Sequence, residues 1–199
     1  MKGVLLVNLG SPKSTSPEDV KAYLDEFLMD PLVFDFPYIL RSAIVRGIIL
    51  KTRPKQSAEA YEKIWTEEGS PLIVNSERFK KRLQELLNLP ISLAMRYGNM
   101  NIANGLEELV SQGVTKILLI PLYPQYAMST VETIVLKVSE LVKKNYPNLI
   151  IDRLPVFYKQ SDYISILSQQ IHESLDGVNY DHLLFSYHGL PTRHIKKRD

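Results

Sequence analysis

The segment Lys116-Ile117-Leu118-Leu119-Ile120-Pro121 decides the fold class predicted for this chain. Its interior is continuously apolar instead of alternating, which is typical of a parallel strand covered by helices on both faces. A helical pattern closed by Gly113 precedes it, and an apolar stripe at helical spacing follows it over 131–142. This order of helix, buried strand and helix predicts an α/β protein with a parallel sheet and right-handed crossovers.

Four further segments have the length and apolar content of strands, namely 3–9, 91–97, 149–154 and 181–187. Helices are predicted between them, and each begins at a residue whose side chain can cap the free amides of a first turn. The capping residues expected are Ser16, Asn75, Asn101 and Ser129. The helix after Asn75 is expected to bury a stripe of Phe79, Leu83, Leu86 and Leu87, and a last helix is predicted over 162–175.

Composition excludes several classes of partner and cofactor. The formal net charge of +2 gives no case for a nucleic-acid partner, and the short basic run Lys196-Lys197-Arg198 is interpreted as a solvated helix start. The 199 residues contain no cysteine, which excludes thiolate metal ligation by them. No segment reaches the roughly 18 uninterrupted apolar residues of a membrane-spanning helix. We therefore expect a cytoplasmic protein.

Residues 27–51 are unusually rich in large apolar side chains and are interrupted by Pro31 and Pro37. One interpretation is a core helix with a loop packed over it. The other is an exposed apolar lip, rimmed by basic residues, that rests on a membrane surface or admits a large flat ligand.

The segment Ser186-Tyr187-His188-Gly189-Leu190-Pro191 supplies the strongest candidate for chemistry. The apolar residues 183–185 predict a short buried strand that ends at this segment, where ligand crevices open in parallel sheets. A neutral imidazole at His188 can accept a proton or bind a metal. The alternative is a histidine that only makes hydrogen bonds within a turn.

The segment 186–191 resembles the histidine signature of ferrochelatases. Other segments resemble the same family in the same order along nearly the whole chain: 5–12, 53–55, 59–65, 69–72, 95–98 and 123–126. The resemblance implies two similar Rossmann-like halves. Residues 1–155 are then the first domain, and 156–199 are the start of a second domain of which the rest is absent from this sequence.

The resemblance also implies roles for particular residues. His188 is implied as the base that removes a pyrrole proton, or as the ligand of the incoming metal. Seven positions match the family's porphyrin-binding residues or face the same crevice: Arg53, Tyr61, Ser70, Arg96, Tyr97, Tyr126 and Ser129. Each of three residues also has a purely structural interpretation. Arg53 would then be a solvated surface arginine, Tyr61 would pack between helices, and Ser70 would cap a turn. Leu9 matches an active-site position but has no atom that can coordinate a metal.

The activity implied is insertion of ferrous iron into protoporphyrin IX to form haem, with no tightly bound cofactor. Segment 126–130 matches the position of an iron–sulfur cluster in some relatives, but it has no thiol, so no cluster is expected. The family's acidic residue facing the histidine has no match in 1–199, so these residues alone are not expected to complete the site. Contact with the inner membrane through 27–51 is a further expectation.

Three alternatives remain at this point. The first is a chelatase for coproporphyrin or for another tetrapyrrole and metal, and the second is a porphyrin-binding fragment without activity. The third is a nucleotide-binding α/β domain, which the first strand and Gly10 suggest. This third alternative is weakened because the sequence around Gly10 lacks the further glycines of dinucleotide-binding and phosphate-binding loops.

Overall fold

The structure is a computed structural model that describes residues 1–197. A four-stranded sheet, parallel throughout, forms its centre in the order β2-β1-β3-β4. The strands are β1 (Lys2–Gly10), β2 (Ile91–Tyr97), β3 (Lys116–Pro121) and β4 (Ile150–Arg153). The predicted α/β class and the first four predicted strands are confirmed.

Eight α-helices surround or follow this sheet within the described residues. They are α1 (Pro17–Leu28), α2 (Tyr38–Ile44), α3 (Leu50–Glu62), α4 (Pro71–Leu86), α5 (Ile102–Ser111), α6 (Thr133–Asn145), α7 (Ser161–Leu175) and α8 (Thr192–Lys197). Two π-helical turns lie at Val45–Ile49, between α2 and α3, and at Met128–Glu132, directly before α6.

The core has two layers, one on each face of the sheet, because successive side chains of a strand point to opposite faces. Leu5 and Val7 of β1 pack with residues of α5 and α6, including Leu106 and Ile134. On the other face, β1 and β2 pack against α4 through a cluster of Val4, Leu6, Ile91, Leu93, Met95, Leu72, Ile73 and Leu83. β1 and β2 are thus covered on both sides, as their continuous apolar character predicts, whereas β4 at the sheet edge is mostly exposed.

Two of the four predicted helix caps are confirmed. The Ser16 hydroxyl accepts a hydrogen bond from the Asp19 amide at 3.2 Å, and the Asn101 side chain accepts one from the Asn104 amide at 3.0 Å. The prediction at Ser129 is wrong, because the π-helical turn there leads into α6 without a side-chain cap. A polar residue two places before an apolar stripe cannot by itself distinguish these two starts.

The cap and the buried stripe predicted for α4 are also wrong. The helix begins at Pro71, so Asn75 lies inside it and is exposed. Its inward face carries Ser76, whose hydroxyl donates to the Leu72 carbonyl at 2.7 Å and accepts from the Asn8 amide at 3.2 Å. Because this small polar residue lies on the sheet, Phe79 and Leu86 turn outward and only Leu83 of the predicted stripe packs inward.

The predicted fifth strand over 181–187 is wrong for the described residues. This segment has no strand structure, and Leu183, Leu184 and Phe185 are exposed to 47%, 91% and 56%. A strand requires a neighbouring edge that accepts its backbone hydrogen bonds, and no such edge lies beside 181–187 in this part of the chain. His188 therefore does not follow a strand end here.

Residues 27–51 have a buried inner face and an exposed outer face. Val45 and Leu50 are buried, whereas four large apolar side chains of α2 and the following turn face outward: Tyr38, Ile39, Leu40 and Ile48. We call these four residues the lip. Its contact with a membrane or a large flat ligand stays a prediction.

Three further expectations concern the ends of the fold. The basic run from Lys196 forms the end of α8 and not a helix start, and Arg198 lies outside the described residues. The domain division at 155 follows the last strand of the sheet and stays a prediction. Across residues 1–197, no helix has both the length and the apolar character needed to cross a membrane.

Candidate functional site

The carboxyl ends of β1 and β2 meet at one point, where Gly10 is the register partner of Tyr97. Gly10 has a φ of +114°, and a Cβ atom at this position would overlap the Tyr97 carbonyl oxygen. Glycine is therefore required for the two strand ends to approach this closely. In parallel α/β sheets this edge is where ligands bind.

A depression of about 320 Å³ opens beside these strand ends. The structure brings two of the predicted porphyrin-binding residues, Ser70 and Tyr97, to its wall, together with Trp65 and Met95. Ser11 also lines it, and its hydroxyl is buried without a hydrogen-bond partner in this structure. The wall therefore combines flat aromatic and apolar surface with a few polar atoms, as small-molecule sites commonly do.

Tyr61 and Arg53 belong to α3, and Ser70 lies directly before α4. Ser70 precedes α4 and is 9% exposed, and its carbonyl rather than its hydroxyl takes part in starting the helix. Tyr61 is half-buried in α3, with its ring edge-on to Trp65 at a centroid distance of 6.1 Å. Arg53 lies on the exposed face of α3. Helix packing, the alternative given for Tyr61, is thus present.

Arg96 and Tyr97 are joined by one buried carboxylate, that of Asp30. Its Oδ2 accepts hydrogen bonds from the Arg96 guanidinium at 2.5 Å, the Tyr97 hydroxyl at 2.8 Å and the Thr133 hydroxyl at 2.6 Å. Its Oδ1 accepts the Leu32 amide at 2.7 Å. Arg96 Nε also donates to the Thr133 hydroxyl at 2.8 Å. The polar ends of Arg96 and Tyr97 therefore point into this network.

Burial raises the pKa of the Tyr97 hydroxyl well above its ordinary value, and the negative charge of Asp30 adds to the rise despite the opposing charge of Arg96. Burial likewise raises the pKa values of Tyr61 and Tyr123. These three tyrosines stay protonated at neutral pH, so they can donate hydrogen bonds and offer flat ring surface. They do not supply a base or an anionic metal ligand there.

Tyr126 and Ser129 follow β3 at the same edge of the sheet. The Tyr126 hydroxyl donates to Glu132 Oε2 at 2.9 Å, and Ser129 lies half-buried in the π-helical turn. Turns of this kind occur often at functional sites. Leu9, at the end of β1, is half-buried, and a hydrogen bond joins its backbone to the Tyr123 hydroxyl, so this stretch of β1 also holds an aromatic ring.

His188 lies in an exposed segment, with its Nδ1 at 2.7 Å from the Gly189 carbonyl oxygen. A carbonyl can only accept, so this contact places the proton of the neutral ring on Nδ1 and leaves a lone pair on Nε2. Metal-binding histidines commonly make such a bond to a backbone carbonyl through their second nitrogen. No group of three or more metal-ligating side chains is assembled within residues 1–197.

Sequence reasoning did not single out Asp30 or Thr133. Asp30 stands in an otherwise apolar stretch, and a buried acid normally has a cationic or donor partner, so its position was a usable signal. Thr133 was part of an apolar helical pattern and gave no such signal. Their partner Arg96 is 66 residues from Asp30 along the chain.

The fold and this sheet edge define an α/β protein with a Rossmann-like parallel sheet and a ligand crevice at the carboxyl ends of its strands. A sequence model of the family described as Ferrochelatase matches residues 1–199. This chain belongs to the ferrochelatase family.

Individual relatives agree with that assignment. The chain is 47% identical over 98% of its length to the ferrochelatase of Pseudomonas syringae pv. tomato, and 49% identical over 98% to that of a Pseudomonas fluorescens strain. It is 47% identical over its whole length to the ferrochelatase of Opitutus terrae. It spans 57% to 58% of the length of these three relatives.

Proposed function

We propose that the protein carrying these residues inserts ferrous iron into protoporphyrin IX to form haem. The observation that carries the proposal is the match of residues 1–199 to the ferrochelatase family at nearly half identity. The flat, partly aromatic depression at the strand ends supports it, because a planar macrocycle needs such a wall.

The reaction exchanges two pyrrole protons for one Fe²⁺ ion, and no electron changes hands. The enzyme must therefore take up protons, bind a dication while it loses water, and hold the macrocycle in a conformation that exposes its nitrogens. His188 is proposed as the base or the metal ligand, because the Nδ1 contact with the Gly189 carbonyl leaves Nε2 free to accept a proton or bind iron.

The porphyrin-binding residues are proposed to divide into two kinds. Tyr61 and Tyr126 are half-buried and contribute ring surface, whereas Tyr97, which is 1% exposed, supports the wall from behind. Arg53 is exposed and has a guanidinium that can form a bidentate pair with a propionate. The Arg96 guanidinium already bonds Asp30 and Thr133, so we propose that it acts mainly by holding this edge of the crevice.

We propose that iron is a substrate and that these residues hold no iron–sulfur cluster, since they lack the thiolates that such clusters need. We further propose that the protein works in the cytoplasm with its lip resting on the inner membrane. The exposed apolar side chains of the lip and the exposed basic residues Lys51 and Arg53 nearby support this contact. We propose no nucleic-acid partner, since the formal net charge is only +2.

The test uses the protein expressed from its complete reading frame, as wild type and as His188→Ala. Fe²⁺ and protoporphyrin are mixed without oxygen, and haem formation is followed by absorption. We expect the substitution to lower kcat by about 100-fold or more, the usual size of an acid–base contribution. Quenching of Trp65 fluorescence measures porphyrin binding separately, and we expect it to be retained.

His182→Ala is the matched control, because His182 is an exposed histidine six residues from His188. An equal loss of kcat in both variants would contradict the role given to His188. The same assay with coproporphyrin tests the alternative substrate, and a faster reaction with it would replace protoporphyrin in the proposal. Binding without haem formation by the wild type would identify a porphyrin-binding protein and refute the proposed activity.

A further inference from the structure

Asp35, in the loop between α1 and α2, gathers three basic residues from the last described helix. Its Oδ1 accepts a hydrogen bond from Arg193 Nε at 2.5 Å, and its Oδ2 accepts one from Lys197 Nζ at 2.7 Å. His194 Nε2 lies 3.4 Å from Oδ1. We call these four residues the Asp35 cluster. It joins parts of the chain that are more than 150 residues apart.

The Asp35 cluster fixes a segment that is otherwise exposed. Every described residue from 176 to 193 is exposed, and His194 is the one buried residue between 176 and 197. Its ring is 2% exposed. The Arg193 guanidinium also lies over the Phe36 ring, 5.3 Å from its centroid. The attachment of 176–197 to the sheet domain thus depends strongly on the loop around Asp35.

His188 is five residues before Arg193. Five residues of extended chain span at most about 17 Å, so anchoring Arg193 restricts His188 to a limited volume. The other end of the same loop is Asp30, which holds Arg96 and Tyr97 at the end of β2. The loop from Asp30 to Phe36 therefore bonds both to the crevice edge and to the helix that follows His188.

We propose that Asp35 is a positioning residue for the proposed reaction, and that its bonds to Arg193 and Lys197 hold His188 in place relative to the crevice at the carboxyl ends of β1 and β2. This inference rests on the proposed function, in which His188 acts on the porphyrin or the iron. Asp35 touches neither substrate, and its effect passes through the five residues between His188 and Arg193.

The charges of the Asp35 cluster favour a lasting attachment of α8 to the loop around Asp35. The Asp35 side chain is only 7% exposed, whereas those of Arg193 and Lys197 are 48% and 55% exposed. Burial alone would raise the pKa of Asp35, but the hydrogen bonds from Lys197 and Arg193, with the His194 ring nearby, hold it well below its ordinary value. The carboxylate stays charged at any pH at which the protein works, and the attachment is present throughout.

The experiment compares wild type, Asp35→Asn, Asp35→Glu and Asp152→Asn in the protein expressed from its complete reading frame. We expect Asp35→Asn to lower kcat for iron insertion by about tenfold to a hundredfold, since small misplacements of a reacting group have effects of this size. The KM for porphyrin should stay within about twofold, because the porphyrin-binding residues are untouched. Asp35→Glu keeps the charge and should recover most of the activity.

Asp152→Asn is the matched control, because Asp152 forms an exposed ion pair with Lys116 at 2.7 Å and belongs to no proposed site. It should behave as wild type. Amide hydrogen exchange gives a readout that does not need activity. We expect the hydrogen-bonded amides of α8 to exchange faster in Asp35→Asn, with β1 and β2 unchanged.

Unchanged kcat and unchanged exchange of α8 in Asp35→Asn would overturn the inference. If that variant destabilises the sheet, the double change Arg193→Gln and Lys197→Gln removes the same bonds from half-exposed side chains. The same two measurements on this double variant then test the inference. A wild-type protein that forms no haem would refute the proposed function alone, since the exchange comparison still tests whether Asp35 holds α8.

Discussion

At the scale of single residues, the Asp30 carboxylate links several parts of the candidate site through hydrogen bonds. It is 6% exposed and receives four hydrogen bonds, from Leu32, Arg96, Tyr97 and Thr133. The Arg96 side chain that it pairs with is only 15% exposed. Removing one member of such a pair leaves a poorly hydrated charge behind, which costs far more than breaking a surface pair.

Asp30→Asn should therefore lower the free energy of unfolding by about 3 kcal/mol, because the Arg96 charge loses its counter-ion in a mostly buried place. Asp25→Asn is the matched control, since Asp25 pairs with Arg46 at the surface and should change stability by less than about 1 kcal/mol. Urea denaturation followed by circular dichroism measures both. Equal small effects would show that the Asp30 network contributes no more than a surface pair.

At the scale of elements, the crevice depends on how closely β1 and β2 approach at their carboxyl ends. Gly10 makes this approach possible, and Ser11, Ser70 and Tyr97 are placed around it. The Tyr23 hydroxyl of α1 donates to the Gly10 carbonyl at 3.2 Å, which ties the first helix to the same point. A change of a single atom at Gly10 therefore acts on two strands and one helix.

Gly10→Ala should destabilise the fold by about 2 kcal/mol or more, because the added methyl group overlaps the Tyr97 carbonyl and the φ of +114° is unfavourable for alanine. Gly113→Ala separates these causes, since Gly113 has a φ of +80° but open space around its Cβ position. It should cost only about 1 kcal/mol. Thermal unfolding measures both variants, and similar losses would mean that the overlap is relieved by small shifts.

At the scale of the whole molecule, the lip is an apolar surface that no other described residues bury. Tyr38, Ile39 and Ile48 are exposed to 61%, 83% and 61%. Isolated exposed apolar residues are common, but a group on one short helix and its following turn is the kind of patch that marks an interaction site. The nearby basic residues favour a surface that also carries negative charge.

We expect Ile39→Asp to weaken binding to vesicles that contain anionic lipids by at least about tenfold, because it removes apolar contact area and adds a repelled charge. Leu86→Asp is the matched control, since Leu86 is 80% exposed on α4 and lies outside the lip. Co-sedimentation with vesicles measures the bound fraction for each. Equal binding by wild type and Ile39→Asp would contradict a membrane contact at the lip.

The sequence by itself determined the class of fold and most of its elements. The apolar runs of β1 to β4 and the caps at Ser16 and Asn101 act within a few residues, so they can be read without knowing the rest of the structure. The ordered motifs likewise gave the family, and the match over residues 1–199 confirms it.

Only the tertiary structure decided which side chains meet. The bonds of Asp30 to Arg96 and of Asp35 to Arg193 join residues 66 and 158 positions apart, and no local pattern encodes such separations. The segment 181–187 has the composition of a strand but no neighbouring edge in this part of the chain, so it stays irregular and exposed. Local propensity selects helices and strands, whereas long-range contacts depend on packing between elements that are distant in sequence.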